Sequence, residues 1–390
     1  MKITMYDFLF SGRVHSHKAW SRLAFTLIAL LVVISPLTAP AQTFSVLHQF
    51  HWPDGAFPLS PLYQGIDGRL YGTTYGGGLV QGVIYALDTD GVGSVLHNFS
   101  AQEGMNTVAG FVGDAAGNLY GATLGAVFKF DPMGNMTLLH KSTGGADGTA
   151  VYQSLIMDAA GNLYGTAYIG GNPACDHGCG TVFKIAPNKK FTVLHTFTGG
   201  NDGANPYGSL VQDATGNLYG TTFGGGAFGA GVVFKLSPTG GSTALHAFTA
   251  GDDGGYPIGG LLLDAFGNLY GTTNGGAINN NGVVFKIDSS GAFTVLHSFT
   301  GDDGYQSRAQ LVQDAAGNLY GTTQKGGCCG GGTVFKLDPT SNLTTLYEFK
   351  GRGDGANPYE GVILDAAGTI YGTTFDGGVE EVGVVYKIVP

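Results

Sequence analysis

Gly216-Asn217-Leu218-Tyr219-Gly220-Thr221-Thr222 decides the fold, because the chain writes this block seven times with small changes. Its tyrosine recurs as Tyr71, Tyr120, Tyr164, Tyr219, Tyr270, Tyr320 and Tyr371. An acidic residue followed by Gly precedes each tyrosine by 17 positions: Asp54, Glu103, Asp147, Asp202, Asp253, Asp303 and Asp354. Self-similarity at a period of about 50 residues marks a solenoid or a propeller.

Working outward from the block, the fourth repeat divides into four strand-like runs: Ser209–Asp213, Asn217–Thr222, Val232–Ser237 and Thr243–Thr249. Each is rich in Val, Leu, Phe, Tyr or Thr and is bounded by Gly, Asp, Asn or Pro. The first two are joined by a tight connection in which Gly216 or Asn217 takes positive φ. Four antiparallel strands repeated radially make a propeller blade. The expected fold is therefore all-β, a seven-bladed β-propeller. The chain opens on a fourth-strand motif (Val46-Leu47-His48-Gln49-Phe50) and closes on a third-strand motif (Val384 to Ile388), so residues 44–50 should pair with 383–388 and close the ring. A β-solenoid would need shorter rungs and capping ends, which are missing here. Kelch and WD40 blades carry signature tryptophans, and the repeat region has only Trp52.

Asp213 to Thr222 with Gly231 to Lys235, then Leu-His-x-Phe and Asp-Gly-x-x-Pro, resembles the GloVer-type tandem repeat of "choice-of-anchor" exported bacterial proteins. The resemblance covers essentially all of residues 42–390. It implies export and a propeller-like repeat, and no particular reaction. The chain ends at Lys387-Ile388-Val389-Pro390 without a sorting segment, which favours release over surface attachment.

Residues 1–41 differ in kind. Arg13, Lys18 and Arg22 lead into the apolar run Leu23 to Leu37 and then Ala39-Pro40-Ala41, the marks of a signal peptide. The run is shorter than the roughly 20 residues that span a bilayer, so cleavage after Ala41 is expected, with an uncleaved anchor as the alternative. The protein should then be secreted or periplasmic, with no membrane association and as a monomer. Cleavage removes Lys2, Arg13, Lys18, Arg22 and Asp7 from totals of 18 basic and 28 acidic residues, leaving 14 against 27. That acidity, without a basic stripe, excludes nucleic acid as a partner. The 69 glycines fall in turns and loops between the repeated aromatic positions, so the composition is that of a folded chain and not a disordered one. Repeats fill residues 42–390, leaving no room for a second domain.

Loop lengths point to the working face. From the second-strand tyrosine to the third-strand aromatic the separations are 14, 8, 19, 15, 15, 15 and 15, whereas from that aromatic to the next acidic-Gly pair they stay at 18 or 19. The drift sits in one loop, on the same face as the connection that carries the acidic-Gly pair. Variable loops on a rigid frame are where binding usually lives.

The acidic ring offers carboxylates to a hard cation such as Ca²⁺, at Asp54, Asp147, Asp202, Asp253, Asp303 and Asp354, with Glu103 in the second blade. The competing reading, which seven-fold repetition favours, is that each Asp-Gly builds a turn. Six histidines (His48, His97, His140, His195, His246 and His297) occupy one repeated slot that Tyr347 fills in the seventh unit, which reads as a partly buried hydrogen-bonding ring. Cys175 and Cys179 should form a local disulfide, with a metal site from Cys175, His177 and Cys179 as the alternative. A Cys328–Cys329 bond is a second candidate, strained because consecutive Cα atoms lie about 3.8 Å apart.

No catalytic constellation appears. The non-repeated polar and aromatic residues on the loop-rich side (His51, Trp52, Tyr305, Arg308 and Arg352) are the ligand-binding candidates, and Arg308 lies just before an inner strand. The expected function is a non-enzymatic binding or scaffold propeller holding a glycan, a polypeptide or a surface polymer, with no required cofactor. The alternative is an extracellular polysaccharide hydrolase or lyase. Unlike polar residues converging at the channel mouth would favour the enzyme; near-identical blades would favour binding.

Overall fold

The repeated block is a turn, a strand and a blade-to-blade bond written together. In the fourth repeat, Asp213 accepts hydrogen bonds from the Thr215 and Asn217 backbone N–H groups at 2.9 Å, from Asn217 Nδ2 and from the Tyr219 hydroxyl at 3.0 Å. Gly216 supplies the left-handed conformation at φ 84°. Gly220 leaves space for the third strand, since a Cβ there would stand 2.7 Å from the Phe234 ring. The Thr221 hydroxyl donates to the Gly259 carbonyl of the next blade at 3.2 Å, and the Thr222 hydroxyl accepts from the Val232 N–H at 3.1 Å.

The computed structural model describes residues 42–390 apart from positions 80 and 105, so the expected signal segment 1–41 lies outside the described residues. These residues form seven antiparallel sheets in a propeller arrangement. The fourth blade comprises Val211–Gln212, Leu218–Gly224, Val232–Leu236 and Ser242–Ala247, with Ala204–Pro206 added beside the second strand. The inner strand is thus shorter than the predicted Ser209–Asp213, because the stretch before Val211 lines the channel instead of pairing. The single short 3₁₀ turn among the described residues is Ile278–Asn280. No helix among them is long and apolar enough to cross a membrane.

The ring closes as the terminal motifs predict. Thr43–Gln49 is the outer strand of the seventh blade and pairs with Val384–Val389 from Thr43↔Val389 to Gln49↔Val384. Between blades the core is aromatic. A phenylalanine at the end of the outer strand is wedged edge-on against the third-strand aromatic of the next blade, as in Phe50–Tyr85, Phe197–Phe234, Phe248–Phe285 and Phe349–Tyr386, at centroid distances of 5.0–5.3 Å. Such edge contacts add to the burial term itself. Ser142 stands where this ring would be between blades two and three.

A glycine precedes each third strand, and in every blade but the second only glycine fits. Gly282 has φ 88°, and a Cβ on it would lie 2.1 Å from the Thr273 carbonyl oxygen. Gly282→Ala is expected to destabilise the protein by about 2–5 kcal/mol, from left-handed strain together with overpacking. Urea denaturation checks this, and an unchanged midpoint would refute it.

Candidate ligand-binding site

The connection from each outer strand into the next blade and the loop between second and third strands lie together on one face. Backbone bridges join them at Ala56–Gly76, Thr149–Ile169, Gly255–Gly275, Tyr305–Lys325 and Ala356–Asp376. The third residue after each ring carboxylate is left-handed in all seven blades, with φ of 56–62° at Phe57, Asn106, Ala150, Asn205, Tyr256, Gln306 and Asn357. The conformation turns its N–H to the preceding blade, where Asn205 donates to Cys179 O at 2.7 Å and Tyr256 to Ala230 O at 2.7 Å. Its carbonyl accepts from its own blade, as Ala150 does from Tyr168 N–H. Each such residue is a stitch between two blades.

The acidic ring is bound up in these same turns. Asp253 Oδ2 meets His246 Nε2 at 2.9 Å and the Thr249 N–H at 3.1 Å, and its other oxygen accepts from the Thr249 hydroxyl. Asp54, Asp147, Asp202 and Asp303 take His48, His140, His195 and His297 in the same way, and Glu103 faces His97 at 3.2 Å. In the seventh blade the Tyr347 hydroxyl donates to Asp354 at 2.9 Å. The histidine slot and the acidic ring are therefore one device. Burial pushes the Asp54, Glu103, Asp147 and Asp303 carboxyls up, but the donors around them outweigh it and hold all four below the usual range. Among the described residues, no three His, Cys, Asp or Glu side chains converge as metal ligands.

Cys175 and Cys179 are joined by a disulfide with Cα atoms 5.0 Å apart, which takes up both thiols and corrects the alternative of a metal site with His177. Cys328 and Cys329 are free, exposed thiols.

The central channel is where the blades stop being alike. A cavity of about 670 Å³ is lined by inner-strand residues of all seven blades. Across it, Gln153 Nε2 of the third blade donates to both Glu360 carboxyl oxygens of the seventh, at 2.9 and 3.1 Å. The Ser209 hydroxyl of the fourth blade donates to Gln310 Oε1 of the sixth at 2.8 Å. These cross-links form a polar plug. Toward the loop-rich side of the plug stands the fifth residue after each ring carboxylate: Leu59, Val108, Tyr152, Tyr207, Ile258, Arg308 and Tyr359.

From this mouth a row of rings runs outward. The Arg308 guanidinium lies 4.8 Å over the Tyr359 ring, and Tyr359 packs on Phe375 at 5.0 Å. Phe375 stacks on Phe57 at 4.9 Å, and Phe57 meets Trp52 edge-on at 5.6 Å. Trp52 is 52 % exposed. Near enough to Arg308 to feel its charge, Tyr207 stacks on Tyr152 at 4.6 Å, with Tyr168 edge-on to both. Burial drives the Tyr207 hydroxyl far above its ordinary range, and Arg308 only partly offsets this.

Of the sequence-derived candidates, Trp52 and Arg308 thus belong to one row. His51 instead pairs with Glu380 at 3.0 Å beside Trp52. Tyr305 bridges Lys325 through its backbone, and Arg352 is exposed in the Asp354 turn; neither takes part in the ring contacts. Sequence reasoning missed Gln153, Tyr152, Tyr168, Tyr207, Tyr359 and Glu360. Aligning the repeats on the ring carboxylate would have exposed most of them, because the fifth and sixth following positions are among the most variable columns. The expectation of near-identical blades holds for the frame and fails at the mouth.

Solved structures share this fold. The extracellular domain of a B. thetaiotaomicron protein assigned to a hybrid two-component system matches with a TM-score of 0.60 at 13 % identity, over 88 % of this chain and 39 % of that one. A second structure from B. thetaiotaomicron, an extracellular domain assigned to a one-component system, gives 0.56 at 11 %, over 87 % and 39 %. The chain therefore spans about two fifths of their length. A gluconolactonase from Xanthomonas campestris matches at a TM-score of 0.45 and 18 % identity, over 72 % of this chain and 86 % of that one. No curated protein matches the sequence. The model of the Gloeobacter/Verrucomicrobia repeat covers residues 81–282 and again 245–390, spanning most of the chain, and the protein belongs to that repeat family.

Proposed function

We propose that this is an exported binding propeller that holds a glycan on its loop-rich face, along the row from Trp52 to the channel mouth. The observation that carries the reading is the continuous contact of Trp52, Phe57, Phe375 and Tyr359, which ends on Arg308. Exposed or half-buried rings beside unused hydroxyls suit the flat apolar faces and polar edges of sugars. A lyase or hydrolase needs a base or a carboxylate pair at the bound chain. The mouth offers Glu360, which burial pushes up to about 8, and Tyr207, which burial holds protonated. Unlike polar residues do converge at the mouth, which speaks for the enzyme. Glu360 and Tyr207 are both acids at neutral pH, however, and neither is the base or carboxylate pair that cleavage needs, so binding without cleavage fits better.

Trp52 also reports on the site, since the sequence contains only one other tryptophan, Trp20, within the expected signal segment. Titrating the protein with a panel of polysaccharides should shift its fluorescence, and Trp52→Phe should remove the shift. Tyr359→Ala is expected to weaken binding about tenfold or more, the scale of a truncated aromatic anchor. Affinity unaffected by both Trp52→Ala and Tyr359→Ala would place the ligand elsewhere.

A further inference from the structure

Arg308 carries a charge that the folded chain leaves unanswered. Among the described residues its guanidinium makes no ion pair and no hydrogen bond, and its Nε is buried without a partner. Buried donors are nearly always satisfied, and an unmet one asks for an explanation. Glu360 does not supply it. No oxygen of Glu360 comes within ion-pair distance of Arg308, and both oxygens are held from across the channel by Gln153. Burial, only partly offset by Gln153 and Arg308, also pushes this carboxyl up to about 8, towards its neutral form. The mouth is therefore locally cationic in a chain whose formal charge is −10.

Resting on the glycan reading above, we infer that Arg308 receives a carboxylate, and that the glycan held along the ring row is built of uronic acid residues. A guanidinium offers a planar fork of donors that matches a carboxylate in two parallel bonds. Here the guanidinium lies over the Tyr359 ring, and Tyr207, near enough to feel its charge, stacks on Tyr152 as a sugar-sized platform. A neutral sugar could offer hydroxyl oxygens to the guanidinium but no counter-charge. A sulfate ester presents a tetrahedral anion in place of a planar one.

The test is calorimetric titration of the protein with oligomers of galacturonate, glucuronate and mannuronate, each as free acid and as methyl ester, and with a sulfated galactan. One free acid should bind at least tenfold more tightly than its ester. Arg308→Gln should bring that ratio to about one, and Arg308→Lys, which keeps the charge and loses the fork, should leave it in between. Equal binding of acid and ester by the unaltered protein overturns the carboxylate assignment and leaves the glycan reading standing. A ratio untouched by Arg308→Gln, or tighter binding of the sulfated polymer, also overturns it. If no oligomer binds and no neutral glycan shifts Trp52, both readings fall.

Discussion

A chain lacking residues 43–50 should lose its cooperative unfolding transition and associate, although seven copies of the repeated block remain. Thr43–Gln49 is the outer strand of the seventh blade, so its removal leaves Val384–Val389 as an open edge of unpaired backbone groups. The Phe44 ring stacks on Tyr347 at 3.7 Å and packs against Phe349 and Tyr386. Phe50, 1 % exposed, is the wedge between the seventh and first blades. Losing one such buried ring costs about 3–5 kcal/mol, and a whole domain is commonly stable by only about 5–15 kcal/mol. Urea denaturation with size-exclusion chromatography reads the outcome. A truncated chain that stays monomeric with an unchanged midpoint would show that the closure does not hold the ring. A peptide of residues 42–50 added in trans should restore the transition.

The second large effect is acid sensitivity. On the face of short turns, Asp114, Asp158, Asp213, Asp264 and Asp314 are raised by burial, but Asn, Tyr and backbone donors outweigh this and hold them low. Asp54, Glu103, Asp147 and Asp303 behave likewise on the other face. A carboxyl whose folded pKa lies below its unfolded value contributes stability that is present above about pH 4 and fades as pH falls through the folded pKa. Water screens these partly exposed groups, so roughly 0.5 kcal/mol each is a fair scale, and nine acting together give several. The urea midpoint should rise from pH 7 to about 5, because the buried Glu360, pushed up to about 8, takes up a proton on folding, and should then fall steeply between pH 4 and 2. Asp213→Asn should lower stability at pH 7 and make the acid limb shallower. A midpoint that does not move down to pH 3 would sink the account.

Much of this architecture was legible because it is periodic. The block around Tyr219 returns with one spacing, so strands, turns and blade count follow from residues close in sequence. The drift in one loop marked the face that carries the variable loops. The mouth was not legible in that way, because Gln153 and Glu360 are 207 positions apart and meet only when the ring closes. Phe57 reaches Phe375 by the same closure. Trp52 and Arg308 were visible as exceptions to the repeat, while Tyr152, Tyr207 and Tyr359 passed as ordinary tyrosines in a chain with 19. Periodicity reveals the scaffold, and it hides the differences between repeats that a site is made from.

The left-handed stitch has a consequence for how such a face changes over time. At Phe57, Ala150, Asn205, Tyr256, Gln306 and Asn357 a backbone N–H ties the blades together, in a conformation already occupied by aromatic, amide and methyl side chains, and only Asn205 adds a side-chain bond to the same neighbour. The bond that holds the ring is thereby separated from the side chain shown to solvent. Sockets of this kind on the loop-rich face can trade side chains at little cost to the frame, as antibody loops do on their sandwich. In the first blade that freedom has produced Phe57, the ring that carries Trp52 inward to the channel.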